Sequence, residues 1–123
     1  MKYLLLILIS TSTHAQTTPM PPPIREVWNI GNQFYPMVKE SKRDVLISAG
    51  CEVKKLKCAA YKALSEIKKY KPTEAELQGG KSPGAVTCKN YFKSEILILK
   101  DAKQNENAFC KFSDGSLVSA SAL

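Results

Sequence analysis

Hydrophobic and polar positions along the chain sort into a few separate rhythms. The clearest is helical. In VKKLKCAAYKALSEIKKYK, residues 53 to 71, Val53, Leu56, Ala60, Leu64 and Ile67 recur at steps of three or four, which lays them on one stripe of an α-helix. Lys54, Lys55, Lys57, Lys62, Lys68 and Lys69 fall largely elsewhere around that helix and form a basic surface. Pro72 ends it, because the residue before a proline is pushed out of the helical region. Gly79-Gly80, within PTEAELQGGKS, marks a flexible connector.

Beyond the connector the rhythm shortens. Ser82-Pro83 has the chemistry of an N-cap followed by a first helical residue, with Val86 and Tyr91 facing a core beside Cys88. EILILKD, residues 95 to 101, reads as a strand buried on at least one face. AKQNEN makes a turn, and AFCKF, residues 108 to 112, returns as a second strand with Ala108, Cys110 and Phe112 on one face. Ser113-Asp114-Gly115 is turn chemistry, with Gly115 free to take positive φ, and SLVSASAL offers a last short strand. Ahead of the basic helix, Trp28, Phe34 and Tyr35 read as core-packing aromatics. Pro36 suits the first turn of a short helix through MVKESKRDVLI. The expectation is a small disulfide-stabilised α+β domain, with helices packed on a short antiparallel sheet. Residues 24–81 form its helical N-terminal part, and residues 82–123 its helix and strands.

The first 15 residues follow another pattern: one charge at Lys2, an apolar run from Tyr3 to Ile9, then small residues ending at Ala15. That order is a secretory signal peptide, and the run is too short to span a bilayer, which takes roughly 20 apolar residues. Cleavage after Ala15 leaves Gln16 first and removes the single histidine, His14. The loss of Lys2 lowers the formal net charge of +7 by one. Residues 16–23, QTTPMPPP, form a proline-rich lead that favours extended geometry. A periplasmic or secreted location follows.

Composition then narrows the chemistry. Four cysteines, Cys51, Cys58, Cys88 and Cys110, read in an exported small protein as two disulfides. Their intervals of 7, 30 and 22 residues lack the paired spacing of a metal site, so neither metal nor cofactor is expected. Without histidine the mature chain has no Ser/His or Cys/His nucleophilic pair. Glu74 and Glu76 sit in a polar stretch with no apolar neighbours to raise a pKa, and read as solvated loop carboxylates. The chain is therefore not expected to be an enzyme.

From Ser82 onward the chain resembles a family of small bacterial envelope proteins of unknown function that carry a hemolysin label. The resemblance rests on SPGAVTC, EILILKD and NAFCKFSDGS: a Pro-led helix with one cysteine, a strand, a turn, a cysteine-bearing strand and an Asp-Gly turn, matched over residues 82–118. Members commonly carry Gly-Gly where this chain has Tyr91-Phe92-Lys93-Ser94, and an acidic segment with tryptophan where it ends in VSASAL. The resemblance implies a helix-to-strand disulfide between Cys88 and Cys110, which leaves Cys51 and Cys58 for each other. Two cysteines seven residues apart in one regular helix would be about 10.5 Å apart, too far to bond. Cys51 must then lie off the helix. If the helix begins before Cys51, the pairing must instead cross between the two halves.

Among function classes the leading expectation is an exported, monomeric, non-catalytic binding module, its partner an acidic protein or an envelope polymer. Direct membrane action is the alternative, suggested by the lysine helix and the family label, and a membrane surface is an admissible partner. Against it, alanine dilutes the helix stripe, which suits core packing better than lipid. Inhibition of a hydrolase is compatible with the chain, although no reactive loop is visible. Nucleic acid is not expected, because the charge is lysine-dominated and Arg25 and Arg43 form no base-reading cluster.

Overall fold

The structure, a computed structural model, describes residues 9–11, 25–40, 45–51, 57–66 and 70–123. The expected signal peptide, residues 1–15 apart from 9–11, and the expected proline-rich lead, residues 16–23, lie outside them. Among the described residues, six strands close into one antiparallel barrel in the order β1-β2-β3-β6-β5-β4. These are β1 (Arg25–Ile30), β2 (Gln33–Glu40), β3 (Val45–Ser48), β4 (Glu95–Lys100), β5 (Glu106–Lys111) and β6 (Leu117–Ser119). The α+β class with two disulfides holds, but within the expected helical part, residues 24–81, the short helix through MVKESKRDVLI is not found: its described residues Met37–Glu40 lie on β2 and Val45–Ile47 on β3.

The reason lies in Gly31-Asn32. Gly31 has φ +55°, at no Cβ penalty, and this two-residue turn folds β1 onto β2 in a hairpin with Trp28 opposite Tyr35. Pro36 is tolerated inside β2 because its backbone faces the side where β3 has ended. Its carbonyl accepts from the Ala49 N–H at 2.9 Å, one residue past the last ladder pair, Met37 with Ser48, so the missing N–H costs only the reciprocal bond at the ladder's end.

Alternation along the strands sends side chains to two cores. Inside the barrel, Trp28, Met37, Leu99, Phe109 and Leu117 are buried together, with Tyr35, Leu46 and Leu97 packed against them. Every strand contributes, and Trp28 meets Phe109 edge-on at 5.2 Å between ring centroids. Burying each of these large side chains contributes roughly 1.5–3 kcal/mol. Outside, a belt of register partners runs Val38, Ile47, Val118, Cys110, Ile96 across β2, β3, β6, β5 and β4. Helix α1 (Ala59–Glu66) covers that belt through Ala60, Ala63 and Leu64. The two small alanines let the helix approach the wall closely.

On the same side, α2 (Pro83–Val86) continues into a π-turn at Thr87–Tyr91 that carries Cys88. The expected cap is present: the Ala85 N–H donates to Ser82 Oγ at 3.1 Å, and Pro83 follows. Gly84 marks the tightest approach in the molecule. A Cβ there would lie 1.8 Å from the carbonyl oxygen of Ala120, in the final 3₁₀ turn Ala120–Ala122.

Among the described residues the basic segment is α-helical at Cys51 and over Ala59–Glu66. Lys57 and Cys58 precede α1 and are not α-helical, and residues 52–56 and 67–69 lie outside the described part. Strands from residues 25–48 and 95–119 interleave in a single sheet, since β3 pairs with β6 and β1 with β4.

Candidate functional site

The Ser-Asp-Gly turn near the C-terminus does more than reverse the chain. Asp114 Oδ2 accepts the Ala59 N–H at 2.8 Å, and Ser116 Oγ accepts the Ala60 N–H at 3.0 Å. These are the first two N–H groups of α1, left without partners inside the helix itself. The cap is thus supplied by residues 55 and 56 positions away in sequence. Asp114 Oδ1 in turn accepts from both the backbone N–H and the hydroxyl of Ser116, and Gly115 closes the turn at φ +84°. Partial desolvation pushes the Asp114 carboxyl up, but the bonds from Ser116 and Ala59 outweigh it, and the carboxyl is held below its ordinary value. The role of this motif is to anchor a helix.

The four cysteines pair as Cys51–Cys58 and Cys88–Cys110, with Cα separations of 5.4 and 5.7 Å. Cys58 sits immediately before α1, so the pair is not held within one regular helix. Cys88 and Cys110 are fully buried and tie the π-turn to β5 in the outer core. Of the lysines expected to form a basic surface, Lys57 and Lys62 are exposed at the start and middle of the α1 region. Lys54, Lys55, Lys68 and Lys69 lie outside the described residues, so no common face can be drawn through all six.

Glu76 is not a solvated loop carboxylate. Its Oε2 accepts from the Tyr70 hydroxyl and from Asn90 Nδ2, the latter at 2.7 Å, and its Oε1 accepts from the N–H and hydroxyl of Thr73. The Tyr70 hydrogen bond, then the Asn90 bond and the Thr73 N–H, hold its carboxyl at about 2. The same bond to Glu76 raises the Tyr70 phenol above its ordinary value. Tyr70 stacks on Tyr91 at 5.1 Å, and an aromatic chain continues through Phe92 to Phe112. This node pins the connector to the π-turn. Among the described residues no group of three or more His, Cys, Asp or Glu side chains is arranged to hold a metal ion.

Among the described residues no helix lies over one sector of the outer wall. Val27 on β1 (54% exposed), Phe34 on β2 (64%) and Ile98 on β4 (50%) point away from the barrel interior, and Ile30 at the hairpin end is 46% exposed. Pro36, opposite Val27, is exposed as well. Asn29 lies at the centre: Phe34 is its register partner on one side and Lys100 on the other. Continuing the β1–β4 register by two residues sets Ile98 beside Gly31. Val27, Phe34, Pro36 and Ile98 thus share the outer side of the sheet around Asn29 and Lys100, whereas Ile30 alternates onto the side of Trp28. Phe34 is a correction to the reading of all three aromatics as core: Trp28 is buried and Tyr35 packs beside it, but Phe34 faces out. The signal was present in REVWNIGNQFYPM, where Val27 and Phe34 alternate against Trp28 and Tyr35 once Gly31-Asn32 is taken as a hairpin turn.

Fold and surface together define a small disulfide-stapled α+β barrel with one wall covered by helices and another that exposes Val27, Phe34 and Ile98. No protein-family model, curated protein or solved structure matches the chain. Among the described residues no helix is long and apolar enough to cross a membrane. The paired cysteines fit an oxidising compartment.

Proposed function

We propose that the protein is an exported, monomeric, non-catalytic binding module for an acidic partner, either an acidic protein or an envelope polymer. The observation that carries this reading is the set of exposed apolar side chains Val27, Phe34 and Ile98 on the outer side of the barrel around Asn29. Large apolar side chains exposed on one side of a small protein mark an interaction surface. Charge gives the partner its sign: 18 Lys and Arg against 11 Asp and Glu leave a net +7, one less once cleavage removes Lys2. The hemolysin-label resemblance of residues 82–118 supports an envelope location for the module, within a periplasmic or secreted setting.

The test passes an envelope extract over the immobilised, oxidised protein at low ionic strength. An acidic component should be retained, elute as salt rises because salt screens exposed charges, and be identified by mass spectrometry. Retention no greater than on the reduced, unfolded chain would sink the reading, since the surface would then owe nothing to the fold.

A further inference from the structure

Asp114-Gly115 is the single place in the chain where an aspartate or asparagine precedes a glycine. Such a bond is open to a particular rearrangement. The amide nitrogen of the following residue attacks the side-chain carboxyl carbon, and glycine hinders the approach least because it has no Cβ. A C–N bond forms, the amide proton and the carboxyl hydroxyl leave as water, and the product is a cyclic imide. Water then reopens the ring at either carbonyl. One opening restores aspartate. The other leaves isoaspartate, in which the backbone runs through the former side chain.

In the folded turn the groups this reaction needs are all engaged. The Gly115 N–H donates to the Phe112 carbonyl at 2.9 Å. Asp114 Oδ2 accepts from the Ala59 N–H at 2.8 Å, and Oδ1 accepts from the Ser116 N–H at 2.9 Å and from the Ser116 hydroxyl. The carboxyl carbon cannot swing onto the Gly115 nitrogen without breaking bonds to α1 and to Ser116 together. The same bonds favour the ionised carboxyl, which is the poorer electrophile. Asp114 and Gly115 are nevertheless exposed, so local opening of the start of α1 is enough to free them, with no need to unfold the barrel.

We propose that Asp114-Gly115 is a conditional isoaspartate site, locked while it caps α1 and reactive once that cap opens. The product cannot close the cap again. Isoaspartate puts an extra methylene into the backbone before Gly115 and draws the free carboxylate one carbon closer to the main chain. The geometry that set Oδ2 on Ala59 and Oδ1 on Ser116 is then gone. A transient opening of α1 is thereby turned into a lasting one. The inference goes beyond the binding-module reading and does not rest on it.

The experiment follows isoaspartate in the oxidised protein and in the same chain reduced and held in denaturant, both kept warm at neutral pH. The probe is an isoaspartate-specific protein methyltransferase with labelled S-adenosylmethionine, and digestion with mass spectrometry places the label. The denatured chain should gain label at Asp114 at least roughly tenfold faster than the folded one, because only the open fraction of the folded protein reacts. Ser116→Ala removes a donor to Asp114 and the acceptor for Ala60. It should speed the reaction roughly severalfold in the folded protein and leave the denatured rate unchanged. Should that variant fail to fold, the parent in denaturant below its unfolding midpoint supplies the same reading: label should rise in step with amide exchange at Ala59. Isomerised protein, separated by chromatography, should show faster exchange at Ala59 and Ala60 and a lower denaturant midpoint, and enzymatic repair to aspartate should restore both. Equal rates in folded and denatured chains, label appearing first at Asp44 or Asp101, or folded-state labelling indifferent to Ser116→Ala and to mild denaturant would each overturn the lock. An isomerised chain that keeps the parent's midpoint and exchange would overturn the uncapping.

Discussion

Replacing Asp114 with alanine probes the longest-range dependence in the fold. The side chain holds the Ala59 N–H at the start of α1 and, through Oδ1, orients the Ser116 hydroxyl that holds the next N–H. Losing an N-cap acceptor costs about 1 kcal/mol, within a range of about 0.5–2. Losing the turn bonds with Ser116 adds about 1 kcal/mol, because the nearly buried hydroxyl is left without its acceptor. Asp114 itself is exposed, so solvent screening trims the part due to charge. The expected destabilisation is about 2 kcal/mol. Asp114→Asn keeps one acceptor oxygen and should lose about half as much.

Denaturant unfolding with an unchanged slope measures the difference. Amide exchange at Ala59 and Ala60 should accelerate more than at residues inside the barrel. The sign of the pH dependence is fixed by the direction of the shift. The carboxyl is lowered in the folded state, so its stabilisation is fully present above the unfolded value of about 3.9 and disappears as pH falls through the folded value. Parent and Asp114→Ala should therefore converge in strong acid. A variant as stable as the parent at neutral pH, with unchanged exchange at Ala59, would refute the assignment of this turn as the cap of α1.

Three other outcomes are expected. Gly84→Ala drives a methyl into the Ala120 carbonyl, a backbone atom that cannot rotate away, and should cost about 3 kcal/mol in a thermal melt, at the upper end of ordinary overpacking; a neutral result would show that the C-terminal turn moves freely. Removing Cys88–Cys110 should cost about 3 kcal/mol and removing Cys51–Cys58 about 2, because the shorter loop takes less entropy from the unfolded chain, with non-reducing digestion showing these two cross-linked peptides and no others. The Glu76 carboxyl, followed by NMR, should titrate near 2 where an unperturbed one titrates near 4.5, and Tyr70→Phe should move it upward; any stability it lends is present above about 4.5 and lost as pH falls through about 2.

What the sequence by itself determined is the local chemistry. Ser82-Pro83 starts a helix because a hydroxyl acceptor and a preset φ sit side by side, and EILILKD and AFCKF alternate into strands whatever lies around them. The two cysteine pairs became readable through the resemblance of residues 82–118, together with the reach a disulfide allows. Ala60 and Leu64 fall on a stripe, and the structure buries both. Only the tertiary structure decided the rest, since it depends on partners far apart in the chain. Pro36 fits the first turn of a helix as well as a strand. What selects the strand is the hairpin at Gly31-Asn32 and the place where β3 ends. α1 starts at Ala59 because the fold brings Asp114 and Ser116 to its first two N–H groups. The strands carry apolar residues on both faces, as a barrel lined inside and covered outside requires, so alternation alone does not tell Phe34 and Ile98 from Val38 and Ile96. The difference is set by which side of the closed sheet α1 and the π-turn cover, and that follows from where Cys88 and Asp114 meet the barrel.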